Sequence, residues 1–148
     1  MKVTSPSIIL GFIVGLILSG VLVDVYSYIK DSVDRIIIAR NISKAEQYVK
    51  DGQYQQAIEI YEKVYEKIKP KKETNESLFG KVANNLGLSL VENSKTFKDD
   101  SSKNLFSSKQ IQKALELFKE AKASFIKIKN NQLADQTEQN IQMLEQSL

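Results

Sequence analysis

The side chains that most enzymes use for nucleophilic and metal chemistry are absent from this 148-residue chain, which contains no Cys and no His. Their absence excludes Ser-His-Asp and Cys-His catalysis and the usual zinc, haem and iron–sulfur ligand sets. Two carboxylate pairs remain, Asp99 with Asp100 and Glu116 with Glu120, and neither has a nucleophile or a metal framework near it in the sequence. We therefore predict that the chain is not an enzyme, that it has no catalytic, metal-binding or cofactor-binding residue, and that it takes no small-molecule substrate.

The charge of the chain is mild, with 21 basic and 18 acidic residues that give a net charge of +3. Because the two signs are interspersed, the composition does not require a nucleic-acid partner, and we predict none. The densest basic cluster consists of Lys67, Lys69, Lys71 and Lys72. Such a cluster is typical either of a solvated helix end or of a surface that attracts anionic lipid headgroups.

Residues 7–29 form the most apolar stretch, and the sixteen positions from Ile8 to Val23 carry no charge. About 20 apolar helical residues cross a bilayer core, so we predict that residues 1–29 are a transmembrane anchor. A cleaved signal peptide and a buried soluble helix are the alternatives. The apolar run is long for a signal peptide, and its nearest cleavage position has Leu18 where a small residue is preferred.

Basic residues near the two ends of this stretch predict its orientation. Lys2 precedes it, whereas the residues that follow it include Lys30, Arg35, Arg40 and Lys44. By the positive-inside bias, the chain is predicted to be a single-pass membrane protein whose C-terminal domain lies on the cytoplasmic, or stromal, side.

Small residues recur every four positions within the apolar stretch, at Ser7, Gly11, Gly15 and Ser19. In a helix these four residues share one stripe, and small side chains let a second helix approach closely in lipid. The stripe is consistent with an ordinary membrane span, and it also predicts a helix-packing face for another membrane protein or a second copy.

The rest of the chain has the helical period, and no segment alternates as a strand does. We predict that the first helix continues to Asp51-Gly52, a good stop signal, and that Lys69-Pro70 ends the second helix. The predicted later helices cover about residues 54–68, 76–93, 109–128 and 132–146, and a polar excursion covers residues 94–108.

Two helix pairs have the same pattern of small and aromatic residues. In the first pair the pattern consists of Ala45, Tyr48, Gly52, Tyr54, Ala57 and Tyr61. This pattern resembles the tetratricopeptide repeat (TPR), a helix–turn–helix unit of about 34 residues. Two positions depart from that family: Lys44 stands where Leu is usual, and Val64 stands where a second small residue is usual.

The second pair resembles the same repeat with an insertion. Asn85, Leu86, Gly87 and Leu90 are similar to its first helix, and Ala114, Phe118 and Ala121 to its second. Gly87 and Ala114 are 27 positions apart, and removing the 15 residues 94–108 restores the family spacing of about 12. The predicted fold is all-α: a transmembrane helix, then a TPR-like solenoid over residues 30–148 with about two repeats, an insertion loop at 94–108 and a capping helix.

The resemblance implies a protein-interaction function, because repeats of this kind stack and bind partners on the concave side formed by their first helices. The residues expected to bind a partner there are Ile42, Glu46, Val49, Lys50, Lys81, Asn84, Leu88 and Val91. Together with the predicted anchor, the resemblance indicates a membrane-anchored scaffold that acts as an assembly factor for a membrane protein complex. The alternative is a permanent accessory subunit of such a complex, for example a photosynthetic one. The expected partners are other membrane protein subunits and membrane lipid.

Overall fold

The computed structural model describes the backbone of residues 6–96 and 101–146 and the side chains of residues 26–96 and 108–146. The described residues contain α-helices and one 3₁₀ segment and no strand, which confirms the all-α prediction. The elements are α1 (Pro6–Lys50), α2 (Tyr54–Ile68), a 3₁₀ segment (Lys69–Thr74), α3 (Glu76–Lys95), α4 (Ser101–Lys127) and α5 (Asn131–Glu145).

The chain divides into two compact units, residues 1–39 and 40–148. Within the described part of the chain, no helix has a stretch long and apolar enough to cross a membrane. The predicted transmembrane helix over residues 1–29 is therefore wrong. The described side chains of α1 begin only at Tyr26, and charged residues recur from Lys30 onward. The predicted localisation depended on that helix and stays a prediction.

The predicted helix-packing stripe of Ser7, Gly11, Gly15 and Ser19 has side chains that lie outside the described residues. The described side chains of the first unit include large apolar groups that are exposed: Tyr26, Tyr28, Ile29, Val33, Ile36 and Ile37. Apolar side chains exposed in one run are typical of a surface that contacts a partner.

The turn between α1 and α2 has the glycine stop that the sequence predicts. Gly52 has a φ of 71°, a left-handed conformation that glycine adopts without the strain a Cβ would bring. The backbone N–H of Gln53 donates to the carbonyl of Tyr48 over 2.8 Å, and that of Gly52 donates to the carbonyl of Val49 over 3.1 Å. These two bonds form a Schellman cap, which satisfies carbonyl groups at the end of α1 and turns the chain into α2.

Helices α2 to α5 pack in chain order, each against the next. Paired contacts show that α3 and α4 are antiparallel: Gly80 of α3 faces Phe125 of α4, and Gly87 faces Phe118. The most deeply buried large side chains come from α2, α3 and α4, and they are Tyr61, Val64, Phe79, Val82, Leu86, Phe118 and Phe125. Their burial supplies the hydrophobic stabilisation that short helices lack alone.

The predicted excursion at residues 94–108 is shorter in the structure, because α3 continues to Lys95 and α4 begins at Ser101. Residues 97–100 lie outside the described residues. At the end of α3 the Ser94 hydroxyl donates to the carbonyl of Val91, and the Thr96 hydroxyl donates to that of Asn93, each over 2.7 Å. Polar side chains here bond to the helix backbone, so a polar composition did not indicate a loop.

The chain leaves α2 at Lys69-Pro70, as predicted, and continues as a 3₁₀ segment with Pro70 in its first turn. Two lysines of the basic cluster lie over aromatic rings here. Lys69 Nζ is 5.0 Å from the centroid of Tyr65, and Lys72 Nζ is 4.7 Å from that of Phe79. These contacts are within the range of cation–π attraction and hold the two side chains near the core.

An ion pair joins the start of α3 to the end of α4. Lys127 Nζ donates to Glu76 Oε1 over 2.6 Å, and the Glu76 side chain is only 5% exposed. The hydrogen bond from Lys127 is the main reason why the pKa of Glu76 lies below its ordinary value. The unfolded chain therefore binds a proton at Glu76 at a higher pH than the folded chain does.

We expect this pair to stabilise the fold above the ordinary glutamate range, about pH 4.3, and to lose its effect as the pH falls through the lowered pKa of Glu76. Urea unfolding between pH 7 and pH 3 should show a smaller loss of unfolding free energy in Glu76→Gln than in the parent chain. Glu59→Gln, at an exposed position of α2, is the control and should keep the parent's pH dependence. If the unfolding free energy depended on pH equally in the parent chain and in Glu76→Gln, the lowered pKa would not belong to Glu76.

Candidate functional site: two grooves beside α3

A first groove of about 250 Å³ lies where the last turns of α1, the helix α2 and the helix α3 meet. Its lining residues are Glu46, Val49 and Lys50 of α1, Tyr54 and Tyr61 of α2, and Asn85, Leu88, Ser89 and Glu92 of α3. The Schellman turn at Gly52 positions α1 beside α2, so the groove depends on that turn.

The deep side of the first groove is a small polar network. The Asn85 amide donates to the Tyr61 hydroxyl over 3.4 Å, and the Ser89 hydroxyl donates to the backbone carbonyl of Asn85 over 2.8 Å. Burial raises the pKa of Tyr61 above its ordinary value, which favours the protonated form of its hydroxyl. A protonated phenol and an amide offer a bound segment hydrogen bonds without offering it a charge.

A second groove of about 380 Å³ lies where α3, α4 and α5 meet. Its lining residues are Leu88, Val91, Glu92, Ser94 and Lys95 of α3, Ile111 and Phe118 of α4, and Asn140, Met143 and Leu144 of α5. The Phe118 ring is buried at the back of this groove, whereas Met143 is 61% exposed at its edge.

Leu88 and Glu92 line both grooves. They are one helical turn apart on α3, so they form a ridge with one groove on each side. Leu88 is 39% exposed, and the Glu92 carboxylate accepts a hydrogen bond from Lys95 Nζ over 2.6 Å. An apolar side chain and a paired carboxylate therefore separate the grooves.

The charges around the grooves largely compensate one another. Lys95 pairs with Glu92, and Glu46 lies one helical turn before Lys50 on the same face of α1. The grooves thus have no surplus of positive charge that would attract an acidic segment, and most of the surface that lines them is apolar.

The structure brings five of the eight predicted partner-binding residues to the grooves. Glu46, Val49 and Lys50 line the first groove, Leu88 lines both, and Val91 lines the second. These positions share the face of α1 and α3 on which the predicted binding surface depended.

The other three predicted residues line neither groove. Ile42 is half-buried and Lys81 is exposed. The Asn84 carboxamide oxygen accepts hydrogen bonds from the Thr137 hydroxyl over 3.4 Å and from the Asn140 amide over 3.5 Å. Because these bonds direct Asn84 towards α5, its side chain has a structural role at that contact.

Several groove residues were not predicted, namely Tyr54, Tyr61, Asn85, Ser89, Ile111, Phe118, Asn140, Met143 and Leu144. Tyr61 and Phe118 belong to the repeat pattern, and they are both buried and groove-lining. The sequence feature that could have indicated Asn140 and Met143 as groove-lining residues is their position on the helix that follows the second repeat-like helix pair. That helix was predicted as a cap, and a cap was not expected to line the binding surface.

Burial agrees with the repeat pattern at its small positions. Ala45, Ala57 and Ala114 have no exposed surface, and a Cβ on Gly87 would lie 2.7 Å from Phe118 Cε1. Tyr61 and Phe118, which the pattern makes equivalent, take equivalent places at the backs of the two grooves. The similarity to the TPR family is consistent with this arrangement and stays a prediction.

No protein-family model, curated protein or solved structure matches this chain. In the part of the chain that the structure describes, no group of three or more Asp and Glu side chains could hold a metal ion. The geometry of the grooves, with the repeat pattern of the sequence, is therefore the basis for a functional assignment.

Proposed function

We propose that this chain is a protein-interaction scaffold that holds a segment of a partner protein in the two grooves beside α3 and acts as an assembly factor for a multi-protein complex. The observation that carries the proposal is the Leu88–Glu92 ridge, which places the two grooves next to each other on either side of α3. The exposed apolar side chains of α1 also support an interaction function.

The partner segment has uncharged, apolar side chains at two positions. Each groove takes one of them, since the linings are mainly apolar and their charges are compensated. Packed helices lie about 8–10 Å apart, and the grooves lie on opposite sides of one helix. An extended chain rises about 3.3 Å per residue, so anchors about three residues apart would reach both grooves.

Leu88→Glu should reduce partner retention at least about tenfold, because it places an unpaired carboxylate between two apolar grooves. The measurement is gentle extraction of the tagged chain, followed by quantification of the co-purified proteins. Ile126→Glu is the matched control: Ile126 is 55% exposed and lines neither groove. Both variants should keep the helicity and urea midpoint of the parent chain, because both positions are exposed.

Unchanged retention in Leu88→Glu, with the fold intact, would contradict the proposal. Counting the co-purified chains tests the assembly role separately. An assembly factor is found with incomplete complexes, whereas an accessory subunit is found at fixed stoichiometry in the mature complex. The second result would replace the assembly role and leave the docking grooves in place.

A further inference from the structure

Met143 is the groove residue whose chemistry the proposed docking role does not use. It lies on α5 at the edge of the second groove, with Leu88 and Val91 across from it on α3 and Ile111 on α4. Its side chain is 61% exposed, whereas its neighbour Leu144 is buried. The thioether of Met143 is therefore open to small solutes and also part of an apolar docking surface.

The composition of the chain leaves few side chains other than Met143 at which sulfur can be oxidised. The chain has no Cys, no Trp and no His, and it has only two methionines, Met1 and Met143. Cysteine thiolates and methionine thioethers are the side chains that peroxides oxidise most readily. Within residues 2–148, Met143 is the one sulfur-containing side chain.

We propose that Met143 is a reversible oxidation site through which hydroperoxides weaken docking in the second groove. The thioether sulfur donates an electron pair to the terminal oxygen of the hydroperoxide, so that an S–O bond forms and the O–O bond breaks. The proton of the terminal oxygen passes to the leaving oxygen. The sulfur becomes a sulfoxide and is oxidised by two electrons, while the peroxide is reduced to water or an alcohol. A thiol-dependent sulfoxide reductase returns the sulfoxide to the thioether, while two thiols are oxidised to a disulfide and the oxygen leaves as water. The docking consequence rests on the proposed function, and the chemistry at Met143 does not.

The sulfoxide changes the groove and leaves the core in place. It converts a flexible apolar side chain into a polar one with a strong hydrogen-bond acceptor. An apolar partner side chain in the groove would leave that oxygen without a donor and without water, which is unfavourable. Because Met143 is 61% exposed in the free chain, the sulfoxide oxygen remains hydrated there and the fold keeps its stability.

Oxidation by hydrogen peroxide, followed by peptide mapping, tests the accessibility of Met143. The rate of sulfoxide formation at Met143 in the folded chain should be within about threefold of its rate in urea. The urea midpoint of the oxidised chain should equal that of the reduced chain. Protection of more than about tenfold in the folded chain, or a lowered midpoint, would overturn the proposal.

The effect on the groove is measured with the apolar dye 8-anilinonaphthalene-1-sulfonate, whose fluorescence reports exposed apolar surface. Peroxide should lower the dye fluorescence of the parent chain at least about twofold, and methionine sulfoxide reductases with dithiothreitol should restore it. In Met143→Leu, peroxide should leave the fluorescence at that variant's own untreated level. Met143→Gln should resemble the oxidised parent without treatment.

No loss of dye fluorescence on oxidation of the parent, or an equal loss in Met143→Leu, would overturn the inference. The two proposals fail differently. If docking does not use the grooves, partner retention is insensitive to Leu88→Glu, although the dye still responds to oxidation. If Met143 is not the sensitive position, Leu88→Glu still releases the partner, and the dye does not respond.

Discussion

Replacing Phe118 by Ala should lower the free energy of unfolding by about 3–5 kcal/mol. Phe118 is 1% exposed and lies between α3 and α4, with its ring edge against Gly87. Truncation removes the ring's apolar contacts and leaves a cavity that the helices can fill only by moving together. The loss is a large part of the stability of a domain of this size, which is about 5–15 kcal/mol.

Urea unfolding followed by circular dichroism measures this change, and Ile126→Ala provides the comparison. Ile126 lies two turns later on α4 and is 55% exposed, so its truncation should change the unfolding free energy by less than about 0.5 kcal/mol. A Phe118→Ala value as small as that of the control would mean that Phe118 is not part of the core.

The same pair of variants bears on the second groove, because the Phe118 ring forms its back. Loss of the ring deepens the groove on the core side, while Leu88, Val91 and Met143 keep their places at its rim. Partner retention can therefore fall in Phe118→Ala through lost stability alone. The docking experiment therefore uses Leu88→Glu, because the native Leu88 side chain is not needed for the packing of α3 against α4.

The helical part of the fold was predictable because its signals are local. The apolar positions of α2, from Ala57 to Ile68, recur at helical spacing, and they are buried as expected. The stop at Gly52 needs only a residue that tolerates positive φ, which is also a local property. Such features depend on the chain within a few residues, so one sequence is enough to predict them.

The polar contact that joins α2, α3 and α4 near the end of α3 was not predictable, because its partners are distant in sequence. Asn93 and Gln110 are polar, yet both are buried. The Asn93 amide donates to the Gln110 carboxamide oxygen over 3.4 Å and to that of Gln55 over 3.3 Å. A polar residue that finds partners on two other helices can continue a helix, and composition does not show this.

The set of residues that line the two grooves was only half predictable for a related reason. The repeat pattern indicates the face of α1 and α3, and so it identified Glu46, Val49 and Leu88. It does not show where a following helix covers that face. Asn84 shares that face, but its side chain is hydrogen-bonded to α5. The same helix contributes Met143 to the lining of the second groove. The packing of α5 decides which residues of this face are covered and which line a groove. The repeat pattern of the two helix pairs carries no information about that packing.

Gly87→Ala should destabilise the chain by about 1–2 kcal/mol, although alanine is the better helix former. A Cβ at this position would lie 2.7 Å from Cε1 and 3.0 Å from Cδ1 of Phe118, closer than van der Waals contact allows. The Phe118 ring is buried and cannot turn away into solvent. Overpacking by about 1–3 kcal/mol therefore outweighs a gain of up to about 1 kcal/mol in helix propensity.

Whether Gly87→Ala raises or lowers the free energy of unfolding shows whether α3 and α4 cross as closely as the grooves require. At an open helical position the same substitution would stabilise the chain, so a raised urea midpoint would show that the crossing is looser. Phe118→Leu in the Gly87→Ala background is the second measurement. The smaller side chain leaves room for the new methyl group, so the double variant should be more stable than the sum of the single changes by about 0.5–3 kcal/mol. Additive changes would mean that the two side chains do not meet, and the Leu88–Glu92 ridge would then lack the fixed helix that separates the two grooves.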